Sequence, residues 1–66
     1  MIKFTSVNKS GSLIDSEDFE DMESLNRNLS NTATDEYAST VLQGLAEGNT
    51  VFIANGSDMD NYTIIS

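Results

Sequence analysis

Phe19, Met22, Leu25 and Leu29 recur at steps of three, three and four, the spacing that stacks side chains on one side of an α-helix. Threaded among them are six acids, Asp15, Glu17, Asp18, Glu20, Asp21 and Glu23. The pattern predicts a helix over 15–29, capped by Asp15 or Ser16, with Ile14 packing near its first turn. The apolar four would grip a core. Glu17, Glu20, Asp21 and Glu23 would form a carboxylate column on the opposite side, with Asp18 at its border.

Upstream, Ile2 and Phe4 alternate with Lys3 and Thr5, a half-buried strand continuing to about Val7. Asn8-Lys9-Ser10-Gly11 is a turn. Ser12-Leu13-Ile14 reads either as a short return strand or as an apolar lead into the helix. Downstream, Ser30 to Thr34 is a short polar connection, so a second helix should run back roughly antiparallel. Thr34 is its expected N-cap, with Thr32 and Asp35 an alternative capping pair. Tyr37, Ala38, Val41, Leu42 and Leu45 then follow helical spacing. Gly44 inside that helix costs about 1 kcal/mol relative to Ala, which close packing against another element would explain. Gly48 marks its end.

Thr50 to Ala54 is the most β-prone stretch, Asn55-Gly56 opens a turn that Ser57 to Asn61 extends, and Tyr62 to Ile65 is a final strand. The order predicts an α+β fold: a small, mostly antiparallel sheet of three to four strands with two helices packed on one face, in a single compact domain over 1–66.

Composition narrows what such a domain does. Sixty-six residues without Cys or His leave no disulfide framework and remove zinc and most transition-metal sites, so no metal or cofactor is expected. A domain this size is marginal alone, which points to self-association or a partner. The usual general base and the strongest nucleophile are absent, and no glycine-rich nucleotide cradle occurs, so an enzyme is not expected. The first residues lack a signal-peptide pattern and no apolar run is of membrane-spanning length, so the expected location is cytoplasmic. The N-x-S/T triplets at Asn8, Asn28, Asn55 and Asn61 are then products of composition. Asp58-Met59-Asp60-Asn61 offers oxygen ligands but lacks the glycine and terminal glutamate of a calcium loop, and reads as a turn with Asx hydrogen bonds.

The net charge is −8, with eleven acids against Lys3, Lys9 and Arg27. Direct binding to nucleic acid or to an anionic membrane is disfavoured, and a basic protein surface is the natural partner. Glu17, Glu20 and Asp21 would sit about 5–6 Å apart on a helix and repel, and only Arg27 is placed to relieve the column, through Glu23. A surface that keeps such repulsion suggests use: Glu17, Asp18, Glu20, Asp21 and Glu23 are the candidate partner-binding residues. Small size, acidity and the lack of catalytic residues resemble, at the level of class, the acidic inhibitors of phages and mobile elements. DNA-mimic and anti-CRISPR proteins, which block nucleic-acid-binding enzymes, are among them. The alternative is a small structural or assembly homo-oligomer whose charge serves solubility. Ile64 and Ile65 point to opposite faces of the last strand, so one lacks cover. A homodimer through that strand or the sheet face it carries, with Tyr62, Ile64 and Ile65 at the interface, is expected.

Overall fold

A computed structural model describes residues 1–65. The chain runs β1 (Ile2–Val7), β2 (Leu13–Phe19), α1 (Met22–Thr32), α2 (Asp35–Ala46), β3 (Val51–Asn55) and β4 (Asp58–Ile64). The four strands form one antiparallel sheet in the order β2-β1-β4-β3. Two hairpins are thus joined through their first and last strands, and the two helices lie together on one face. This is the α+β architecture the patterning predicts.

The acidic stretch departs from the prediction. Residues 13–19 extend as β2 along β1, with Ile2 opposite Phe19, Phe4 opposite Glu17 and Ser6 opposite Asp15, and the register shifts between Ser6 and Val7. Helix α1 begins only at Met22, capped by Asp21, whose Oδ1 accepts from the Ser24 amide at 2.9 Å. The physical reason is the repulsion itself. An extended chain sends alternate carboxylates to opposite faces, whereas a helix would stack them. Asn8 promotes the extended path: its Oδ1 accepts from the amides of Ser10 and Ser12 and folds β2 back on β1. The charges also suit an edge strand, where they discourage pairing with other chains.

The second helix follows expectation. Thr34 Oγ1 accepts from the Tyr37 amide at 3.2 Å, and Asp35 and Glu36 occupy the first turn. A methyl group at Gly44 would lie 2.5 Å from Val51 Cγ2, so the missing side chain is what lets α2 approach β3. Strand β4 begins at Asp58, four residues earlier than predicted, because Gly56 and Ser57 make a two-residue hairpin loop. Gly56 has φ 66° and Ser57 does not share the positive φ, the pattern of a type II′ turn.

The core lies between sheet and helices: Ile2, Phe19, Leu25, Leu29, Val41, Leu45, Val51 and Tyr62 are buried. Phe19 reaches it from the sheet rather than from a helix. Among the described residues no helix covers the other sheet face. One cross-strand row there runs Leu13, Val7, Met59 and Ala54, and Phe52 stands on the same face, 63% exposed.

The free sheet edges differ from those expected of a dimer through the last strand. Strand β4 pairs with β1 on one side and β3 on the other, so the free edges belong to β2 and β3. Tyr62 is buried rather than available at an interface, because both neighbouring strands and α2 surround it. Ile64 shares the helix-facing side with Ile2 but is half exposed, and Ile65, also exposed, donates its amide to the Met1 carbonyl at 2.8 Å.

Candidate functional site: an acidic cleft under the helix link

The helix-facing side of the sheet changes character from one end to the other. Its first row, Phe19, Ile2 and Ile64, is apolar. The second, Glu17, Phe4, Tyr62 and Val51, is mixed. The third, Asp15, Ser6, Asp60 and Ile53, is largely polar and acidic. Helices cover the first rows with Leu25, Leu29, Val41 and Leu45. Over the acidic end stand the last turn of α1, the Ala33–Thr34 link and Tyr37, and they leave a cleft of about 500 Å³. Phe4 and Tyr62 form its aromatic floor, their ring centroids 4.8 Å apart and their planes tilted by 38°.

Asp60 anchors the site. It is 4% exposed, and its carboxylate accepts from Ser6 Oγ at 2.8 Å, Tyr37 Oη at 2.6 Å and Asn55 Nδ2 at 3.2 Å. The Tyr37 proton is thereby used, so the Tyr62 hydroxyl donates to Tyr37 across the 2.9 Å between them. Every donor to Asp60 is neutral. Among the described residues the ion pairs are Lys3 with Asp18 and Arg27 with Glu23, both exposed, so no cation meets Asp60, Glu17 or Asp15. Nor does any set of three carboxylates among these residues lie close enough to hold a metal ion.

The network perturbs both tyrosines. Burial, then the hydrogen bond it donates to the Asp60 carboxylate, push the Tyr37 hydroxyl far above the usual phenol range. Burial raises Tyr62 as well, aided by the negative charges of Asp60 and Glu17. A phenol whose folded-state pKa is raised contributes stability that is present below its unfolded value of 10.0 and lost as pH climbs beyond it. Since these are the chain's two tyrosines, its tyrosinate absorbance should stay absent in native protein past pH 10 and appear together with loss of the circular dichroism signal. Titration at the ordinary phenol value with the fold intact would contradict the network.

The predicted acidic residues are dispersed, not aligned. Glu17 faces the cleft from β2, joined there by Asp15, expected as a helix cap, and Asp60, expected in a turn, neither of them among the candidate partner-binding residues. Asp18 points to the open sheet face beside Lys3. Glu20 is exposed in the β2–α1 connection, and Glu23 is exposed beside Arg27. Asp21 serves the fold. The Ser24 amide holds its carboxyl below the ordinary value, so Asp21→Lys would remove a helix cap. The signal that could have found Asp60 is the alternation Asp58, Asp60, Tyr62, Ile64, which places one face of β4 opposite Ser6, Phe4 and Ile2.

Fold and site together define a small α+β domain with an acidic, aromatic-floored cleft. Among the described residues no helix is long and apolar enough to cross a membrane. Comparison with protein-family models, with curated proteins and with solved structures finds no match for this chain.

Proposed function

We propose that this protein is a non-enzymatic binding protein that captures a basic surface of another protein. Its mode is that of an inhibitor occupying a nucleic-acid-binding face, as DNA-mimic and anti-CRISPR proteins of phages do. The observation that carries the reading is the uncompensated charge at the cleft. Asp15 and Glu17 on β2 and Asp60 on β4 line it with no cation among them in the described residues, while Lys3 and Arg27 are spent on Asp18 and Glu23. Asp15 and Glu17, two residues apart on one strand face, are about 6–7 Å apart along the chain, a short row of negative charge.

Long-range attraction to a basic partner is screened by salt, with a Debye length of about 10 Å at 0.1 M and about 3 Å at 1 M. The immobilised protein should therefore capture basic nucleic-acid-binding proteins from an extract at low ionic strength and release them at high. The purified partner should be displaced from its nucleic acid by the free protein. Capture indifferent to salt, or a partner that keeps its nucleic acid, would overturn the proposal.

The open sheet face favours a second reading, a homo-oligomer. The apolar row Leu13, Val7, Met59 and Ala54 with Phe52 beside it lies on an uncovered surface. Under this reading sedimentation equilibrium gives a dimer at micromolar concentration that Met59→Lys disrupts. A wild-type monomer removes it.

A further inference from the structure

We infer that the cleft beneath the α1–α2 link is a guanidinium site, filled by an arginine side chain of the captured protein. This rests on the capture reading and adds its chemistry.

The volume is the first support. A space of about 500 Å³ falls within the range of small-ligand sites, roughly 300–1,000 Å³. In a chain with so little core to spare, closing it with apolar side chains would have added stability. The sheet instead lines it with Asp15, Glu17 and Asp60. The floor is the second support: aromatic rings attract cations, and Phe4, half-buried against Tyr62, lines the cleft.

The third is the state of the two principal carboxylates. Asp60 is nine-tenths buried and satisfied only by neutral donors, so its charge lacks a counterion. Glu17 shares a cross-strand row with Phe4 and Tyr62, is exposed, and has neither hydrogen bond nor ion pair among the described residues. A cation entering the cleft meets a free carboxylate at the rim, an aromatic floor, and a buried negative charge beneath. Guanidinium suits this better than ammonium. It is planar, stacks on rings, pairs with a carboxylate through two parallel bonds, and sheds water more readily. Its remaining donors find acceptors in Asn28 and Thr32 on α1.

The test is a nuclear magnetic resonance titration of isotope-labelled protein with a doubly capped Gly-Arg-Gly peptide. Saturable shifts are expected at Phe4, Glu17, Leu29, Thr34 and Tyr62. Glu17→Gln should weaken binding about tenfold, because a bond to a charged acceptor is lost. Glu23→Gln, away from the cleft, should leave it unchanged, and a capped Gly-Lys-Gly peptide should bind more weakly. Shifts scattered over all the acidic residues, equal losses in both variants, or no saturation would overturn the site. Equal binding of the lysine peptide would overturn its guanidinium character. The two readings fail separately. A captured basic partner whose affinity Glu17→Gln does not change removes the cleft assignment and leaves capture standing. Arginine-peptide binding in the cleft with no basic protein captured removes capture and leaves a site for a free guanidinium.

Discussion

Leu25→Ala should leave the protein largely unfolded at room temperature. Leu25 is 0% exposed and, with Leu45 and Val41, is one of the largest fully buried side chains. It projects from the first turn of α1 into the layer between helices and sheet. Truncating such a leucine costs about 2–5 kcal/mol, the lost transfer energy plus the cavity left behind. A single core in a chain this short supplies roughly 3–5 kcal/mol of net stability. Loss and reserve are therefore of similar size. Leu13→Ala is the control: Leu13 is 61% exposed on the open sheet face, and its loss should stay within about 0.5 kcal/mol. Urea unfolding followed by circular dichroism should separate the two. Similar midpoints for both variants would mean that α1 does not dock through Leu25.

Gly44→Val should be the other severe change, for the opposite reason. A Cβ at position 44 would stand 2.5 Å from Val51 Cγ2, and Val51 is itself buried at the start of β3. Valine has a better intrinsic helix propensity than glycine, so local preference alone predicts a more stable helix. The overlap should win: Val51 is β-branched and stiff, and overpacking a closed interface costs typically about 1–3 kcal/mol. The cost should be coupled to Val51. In the background of Val51→Ala, Gly44→Val should be markedly less harmful, with an interaction energy of about 0.5–3 kcal/mol in a double-mutant cycle. Additive effects in that cycle would place the origin of the damage elsewhere.

Gly44 also illustrates what local pattern can reveal. A glycine in mid-helix is a conflict between propensity and position, and here the conflict marks a close neighbour. The Thr34 cap, the apolar run from Tyr37 to Leu45 and the Asn55-Gly56 turn are legible for the same reason, since each is decided by residues a few positions apart. The acidic stretch is not. Phe19, Met22 and Leu25 keep helical spacing across what is a strand-to-helix junction, because Phe19 from β2 and Leu25 from α1 enter the same core. Periodicity carries no mark of the partner strand, and the pairing of Ile2 with Phe19 spans the whole first hairpin. The repulsion among Glu17, Glu20 and Asp21 is the available warning, and it speaks against the helix, not for a use of the column.

Long-range pairing also hides the cleft and the true sheet edges. Asp and Asn are poor strand formers, so Asp58 to Asn61 read as turn, although Met59, Asp60 and Asn61 lie opposite Val7, Ser6 and Thr5 as part of β4. Ser6, Asp15 and Asp60 come from three strands and meet only once register is set. Neither register nor the central place of β4 is visible in the composition of any one segment.

If capture works through the cleft, binding depends on where the carboxylates lie and not on net charge alone. Two double charge reversals, measured against one purified basic partner at fixed ionic strength, separate these possibilities. Asp15→Lys with Glu17→Lys alters the cleft; Asp18→Lys with Glu47→Lys alters the open sheet face and the far end of α2. Both take the net charge from −8 to −4, each acid-to-lysine change adding two. The cleft pair should abolish binding while the distal pair retains most of it, with both variants folded. Equal losses from the two pairs would contradict a binding site in the cleft.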